Sequence, residues 1–407
     1  MAKVIFLNRY FFPDHSATSQ MLSALAFALA AAGHDVHVIT SRQLYDEPNT
    51  YLAPEETAQA VKIHRVRTTR FGRASLLGRS LDYVSFFFAV RRTLSSIASA
   101  NDIVIVKTDP PLLASAVLSV VKRRRAKLVN WLQDLYPEIA IASDMHWLDG
   151  PIGGALSLLR DRSLKAACAN VVVGELMAER LACRQVARET IHFIPNFPVD
   201  DEIVPVAAAD NFLRAAWDLG GKFIIGYSGN LGRVHEYKTI LDAAQQLRND
   251  PRIVFLCVGG GRLFDLLARS VEERRLQHKF VFRPYLERAA LKYSLSAPDV
   301  HWVALRPEFE GLVVPSKVYG VAAAGRPIIA IGAKDGEIAR MVQTHRCGVV
   351  VAPGDAPGLT ATLKALMDDP SQCAEMGRRA RKMLEQNYTR AHALALWQAL
   401  LNSVRPQ

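Results

Sequence analysis

Short apolar runs and amphipathic stretches alternate along nearly the whole chain. Residues 3–8 (KVIFLN) form a compact apolar run, and residues 16–32 (SATSQMLSALAFALAAA) combine helical spacing with good helix formers. GHDVHVITS then supplies a glycine stop and a second strand, and DIVIVKT, KLVNWLQ and ANVVVG repeat the theme with helical stretches between them. Strands that are apolar on both faces and separated by helices predict a parallel sheet covered on both sides. The first half therefore reads as a Rossmann-like unit. The periodicity breaks at residues 191–210 (IHFIPNFPVDDEIVPVAAAD), where three prolines and an acidic run suit an interdomain linker. Beyond it the alternation restarts with KFIIGYSGN, YKTILDAAQQL, RIVFLCVGGG, GRLFDLLARSVEERRL, FVFRPY, DVHWVAL and RPIIAIG, which predicts a second Rossmann-like unit followed by a helical tail. The expected organisation is an α/β chain with an amino-terminal domain over residues 1–200, a carboxy-terminal domain over 201–385 and a tail over 386–407. Two such domains facing each other leave a cleft between the carboxyl ends of both sheets, where ligands bind in this class.

Composition agrees with that division and adds one feature. A chain of 407 residues is too long for one ordinary core. Half of it is hydrophobic and 22% is charged, with no apolar run of about 18 residues, so a soluble globular protein without a transmembrane helix is expected. The start, MAKVIFLNRYFFPD, lacks the parts of a secretion signal and reads as a first strand, which points to the cytoplasm. Five scattered cysteines without a Cys-x-x-Cys pair indicate neither a disulfide framework nor a zinc site. The added feature is the placement of charge. Between Lys62 and Lys127 fourteen Lys/Arg face three Asp, an excess equal to the +11 of the whole chain. Here Phe71, Leu76, Leu77, Tyr83, Phe86, Phe87 and Phe88 interleave with arginines, Arg73 among them. That pattern suits an anionic membrane surface better than nucleic acid; a solvated basic face beside a core helix is the plainer alternative.

Three stretches carry candidate chemistry. GYSGNLGRVHEYKT follows a strand and leads into a helix; Gly229 and Gly232 let amides approach an anion, and Arg233 and His235 add donors, so phosphate is the natural guest. VGGGRLFDLL, around Gly260, repeats the form, with a tight turn as an equal explanation. It does not match the spaced GxGxxG fingerprint, which disfavours NAD. RPEFEGLVVPSKVYGVAAAGRP leaves the end of a strand. It places Glu308, Glu310, Gly311 and Leu312 near the ligand and starts a helix at Pro315 and Ser316, with Lys317 and Tyr319 following. A carboxylate for sugar hydroxyls beside a lysine and helix amides for phosphates fits a nucleotide sugar.

The order of these motifs resembles the GT-B glycosyltransferases of family 4, retaining enzymes that act on nucleotide-activated sugars. The resemblance covers nearly the whole chain, and the block EGLVVPSKVYGVAAAGRP is similar to the branch that builds bacterial O-antigen, capsule and exopolysaccharide. It implies two Rossmann-like domains facing across a central cleft, with the carboxy-terminal helix crossing back to the first. Glu310 matches the first glutamate of the family's Glu-x7-Glu motif, which implies contact with the donor sugar, whereas the second falls at Gly320. The family's phosphate-binding Arg and Lys align with Asn230 and His235, leaving Arg233 and Lys317 as replacements. The amino-terminal Gly-Gly loop is replaced by FFPDHSATSQ, so Ser16, Ala17 and Thr18 would serve the phosphate side. Asp134 in WLQDLYPE falls where relatives carry a group near the reacting centre; an N-cap or turn bond is its structural alternative.

The implied reaction moves a sugar from an NDP-sugar to an acceptor hydroxyl with retention, by a front-face route in which the leaving diphosphate helps take the acceptor proton. No Asp-x-Asp is present, so no obligatory divalent ion or other cofactor is expected. The expected acceptor is a glycan on polyprenyl diphosphate, met by a peripheral enzyme at the inner face of the plasma membrane. A soluble transferase with a small acceptor and a non-catalytic nucleotide-sugar scaffold are the competing readings. UDP, GDP, dTDP and ADP sugars remain open, as do the sugar and the linkage.

Overall fold

The computed structural model describes residues 2–45, 47, 50–72, 76–198 and 201–405; Arg73 of the basic segment and Val199 and Asp200 of the expected linker lie outside them. The chain divides into two compact units, Met1–Pro195 with Ala391–Gln407, and Asn196–Arg390. The break thus falls at 195/196. The expected tail is split: one helix, Pro370–Asn387, stays with the second unit, and the next, Arg390–Val404, packs on the first, where Trp397 meets Trp131 edge-on at 5.0 Å.

The first unit holds an eight-stranded sheet of β1 (Val4–Leu7), β2 (Val36–Ser41), β3 (Glu55–Ala58), β4 (Val61–Val66), β5 (Ile103–Lys107), β6 (Lys127–Leu132), β7 (Ala169–Val172) and β8 (Ile191–Phe193). Their spatial order is β3-β4-β2-β1-β5-β6-β7-β8, parallel except for the β3–β4 hairpin. The linker expected from residue 191 begins later, because Ile191–Phe193 pairs with β7 as an edge strand. β1, β2, β5, β6 and β7 are buried almost throughout, as strands covered on both faces must be.

The second unit is built on β9 (Phe223–Asn230), β10 (Ile253–Gly260), β11 (Phe280–Arg283), β12 (Val300–Ala304), β13 (Ile328–Ile331) and β14 (Gly348–Val351). All are parallel, in the order β11-β10-β9-β12-β13-β14. Strand order reverses between β9 and β12 here and between β1 and β5 in the first sheet. Loops leaving the two strands at such a point diverge to opposite faces and open a crevice. No described helix is long and apolar enough to cross a membrane.

Candidate functional site

At the switch point of the second sheet, the loops after β9 and β12 meet. Gly229 has φ +119°, and a Cβ there would stand 3.0 Å from Lys317 Cε, so glycine is what lets the Lys317 side chain pass the end of β9. Lys317 Nζ lies 3.0 Å from His235 Nε2 and 5.6 Å from the centre of the Tyr227 ring. Burial lowers the lysine to about 8, and burial followed by the lysine's charge drives His235 down to about 3. At neutral pH the pair is therefore an ammonium beside a neutral imidazole. An ammonium only donates, so Nε2 accepts and the imidazole proton sits on Nδ1, which donates to the Gly232 carbonyl at 3.0 Å. Gly232 N lies 3.0 Å from the same Nδ1, so the turn backbone clasps this ring nitrogen through both its amide and its carbonyl.

The same turn is locked to its neighbour. Leu231 N donates to Gly260 O at 2.8 Å and Leu263 N to Leu231 O at 3.0 Å. A Cβ on Gly259 would overlap the Gly229 carbonyl, and one on Gly261 would overlap the Asn230 side chain. Gly259 and Gly261 thus serve close approach of two turns. Across the switch point Arg306 N donates to Val234 O at 2.9 Å, and its guanidinium reaches Arg233 O at 3.3 Å.

Several expected contributions fall elsewhere. The helix after the glycine turn, Lys238–Gln246, does not offer an open amino end, because Glu236 Oε1 accepts from Thr239 N at 3.0 Å. The Arg233 side chain is exposed. Ser316 precedes the helix Lys317–Ala323 in helical conformation, and its side chain caps nothing. Leu312 and Tyr319 are core residues, the tyrosine ring packing on Tyr388 at 5.4 Å. Glu308 pairs with Arg306 in solvent. Glu310 is half-buried, raised above the usual carboxylate range by that burial, and its Oε2 accepts from Glu337 N at 3.0 Å, at the start of the helix Glu337–His345. Gly311 takes φ +70° just after it.

The first sheet has its own group at its switch point. Lys107 ends β5 fully buried, its Nζ 3.0 Å from Thr18 O and 4.1 Å from the Trp131 ring centre; burial lowers it to about 7. Asp134, just past β6, is raised by burial to about 6 although Thr108 donates to it, and its Oδ1 is buried without a protein partner. Ser16 and Ala17 do open the helix Ala17–Ala31, but the anion held there is the protein's own: Asp14 Oδ1 accepts from Ser16 N at 2.8 Å. Lys107 is the residue that sequence reasoning missed, although a lysine closing the apolar strand DIVIVK was its signal.

What the two groups can do is hold an anion at the second sheet, through Lys317, and carry a proton at the first, through Asp134 poised near neutrality. Comparison with known proteins bears on this. Residues 17–196 match the glycosyl transferase 4-like domain family and residues 210–383 the glycosyl transferases group 1 family. A Pseudomonas aeruginosa protein described as a probable glycosyltransferase, WbjE, is 28% identical over 79% of each chain. One from Escherichia coli K12, described as a colanic acid biosynthesis glycosyl transferase, WcaI, is 25% identical over 89% of this chain and 91% of its own. The crystal structure of Anabaena HepE in complex with UDP-glucose superposes with a TM-score of 0.72 over 99% of this chain and 100% of its own, at 15% identity, a likeness of fold alone. With a glycosyl transferase 4-like first domain and a group 1 second domain on two Rossmann-like sheets, the chain belongs to the GT-B glycosyltransferases.

Proposed function

We propose that this glycosyltransferase moves a sugar from a nucleoside diphosphate donor to a hydroxyl of a glycan carried on polyprenyl diphosphate, with retention, in the assembly of a bacterial surface polysaccharide. The observation that carries the donor reading is the half-buried Lys317 held against a neutral His235 in the glycine turn after β9, a preorganised place for charge that builds on a leaving diphosphate. That HepE was solved with UDP-glucose supports a UDP-sugar, and the description of WcaI supports polysaccharide assembly. Glu310 would face the donor sugar, and Asp134 would stand at the acceptor hydroxyl. We assign the diphosphate charge to Lys317 and loop amides rather than to an obligatory divalent ion, so turnover should persist in EDTA.

The test is a thermal-shift screen against UDP, GDP, dTDP and ADP and their sugar conjugates, followed by transfer to polyprenyl-diphosphate-linked sugars and to soluble sugar phosphates. Stabilisation by one diphosphate series, lost in Lys317→Ala, with transfer to the lipid-linked acceptor, is the expected result. No shift with any nucleotide would favour a scaffold, and transfer to soluble acceptors alone would favour the small-acceptor reading.

A further inference from the structure

The helix Leu76–Ile97 covers one face of the first sheet and is apolar on both of its own sides. Phe86, Val90 and Leu94 point into the core, packed with Val104, Val106 and Val117. On the opposite azimuth Leu77, Leu81, Val84 and Phe88 follow at helical spacing and are 80%, 52%, 45% and 70% exposed. Four such side chains on one face reach the few-hundred-Å² scale at which an exposed apolar patch marks an interaction site. A second group of exposed apolar side chains lies two helices away in the same layer. The helix Leu113–Arg123 lies beside it, and Ser115 Oγ of that helix donates to Leu159 O of the helix Pro151–Ala166 at 2.9 Å. The last helix exposes Ile152, Leu158 and Leu159 in turn.

Charge is graded along this face. One turn beyond Phe88 the stripe ends in Arg91 and Arg92, and the exposed run Lys122–Arg125 is placed against that end, with Arg124 donating to Ser95 O. Between residues 76 and 126 there is no Glu, and Asp82, Asp102 and Asp109 are buried or half-buried. We propose that the outer face of helices Leu76–Ile97 and Pro151–Ala166 docks on an anionic lipid surface, the apolar stripe entering the acyl boundary and the basic end meeting lipid phosphates. A second copy of this chain would set the same cations against each other, which favours lipid as the occupant. The surface gives the lipid-linked acceptor reading a place on the molecule, yet its assay needs neither donor nor acceptor, so its failure leaves that reading standing.

The full chain is sedimented with vesicles of equimolar phosphatidylcholine and phosphatidylglycerol, and with vesicles of phosphatidylcholine alone. Binding to the anionic vesicles is expected, weakening as salt rises. Leu81→Gln with Phe88→Gln should reduce it at least tenfold. Arg92→Gln with Arg123→Gln should do the same, each cation strengthening binding about fivefold at an anionic surface. All four side chains are solvent-facing, so melting curves should match wild type. A wild type that stays in the supernatant, or an apolar double variant that binds as wild type does, overturns the proposal. So does a concentration-dependent dimer in sedimentation velocity that the Leu81/Phe88 variant abolishes, since the face would then belong to a second copy.

Discussion

Replacing Lys317 by methionine should stabilise the free protein while removing its affinity for a nucleoside diphosphate. The lysine titrates at about 8 in the folded chain against 10.5 for an unperturbed one, with burial as the cause. At 1.36 kcal/mol per unit, the charged form is disfavoured by about 3 kcal/mol. Below pH 8 both states hold the proton and the whole penalty applies. Between 8 and 10.5 only the unfolded chain keeps it, so stability rises with pH and the penalty is gone above that window. Methionine removes the penalty at neutral pH and forfeits the bond to His235 Nε2, about 1 kcal/mol. The net gain is about 2 kcal/mol, or roughly 4–8 °C for a domain of this size. Calorimetric melting of the two proteins measures it. Charge-assisted bonds to phosphate are worth about 1.5–3 kcal/mol, so UDP should bind on the order of 10- to 100-fold more weakly to the variant. Titration calorimetry adds a second signature. Only protonated Lys317 attracts the diphosphate, so wild-type affinity should fall about tenfold between about pH 7 and pH 9, and the variant should be flat. A variant less stable than wild type, or one with the same pH slope, would refute the reasoning.

Gly229→Ala should abolish the diphosphate thermal shift, because the left-handed φ is retained only under strain and the new methyl meets Lys317 Cε. Glu310→Ala should lower stability by about 1 kcal/mol through loss of the bond to Glu337 N, whereas Glu310→Gln should keep the fold and lose turnover, as paired melting and transfer assays would tell. Asp134→Asn should lower turnover by about two to four orders of magnitude while leaving the UDP thermal shift of the second unit unchanged. Stacked His37 and His64 share a contact of 3.0 Å and are both lowered from 6.5 by burial. The unfolded chain thus binds more protons below that value, and stability should fall as pH drops from about 6.5. His64→Phe should make the melting temperature fall less steeply across that range, the remaining lowered histidines keeping the rest of the slope.

The central strands were legible because burial on both faces leaves a continuous apolar run, as in VIFL or IVIVK. Edge strands carry no such mark. Glu55–Ala58 (EETA) is largely exposed and owes its form to pairing with β4, and β8 has three residues next to a proline-rich stretch. At the site, the sequence pointed to Gly229, His235 and Lys317 but not to their tautomers, which depend on a lysine 82 residues from its histidine. Glycines offered both turn and ligand readings, and only the approach of Gly259 to the Gly229 carbonyl assigns that glycine to packing. The basic segment divides between inward and outward charge, which net charge alone does not show. Arg65 pairs with Glu56, Arg91 donates to Ala116 O, Lys107 is buried and Lys127 donates to Val404 O, whereas Arg92 and Lys122–Arg125 face solvent.

Each sheet keeps a lysine lowered by burial at the point where its strand order reverses, Lys107 fully and Lys317 half-buried, and the partners of the two decide their uses. An ammonium has three protons to donate. Lys107 gives one to Thr18 O, lies over the indole of Trp131, and feels Asp109 and Asp134 as opposite charges, so its surroundings already balance much of its charge. Lys317 has a neutral imidazole and the face of Tyr227, with no carboxylate among the causes that set its titration. A cation held in burial without a counter-ion is stabilised most by an anion that arrives from outside. The same fold thus supplies a positioning charge in one sheet and a receptive one in the other. On the proposed function, the donor diphosphate would sit with Lys317, and the proton that Asp134 can carry would move beside Lys107.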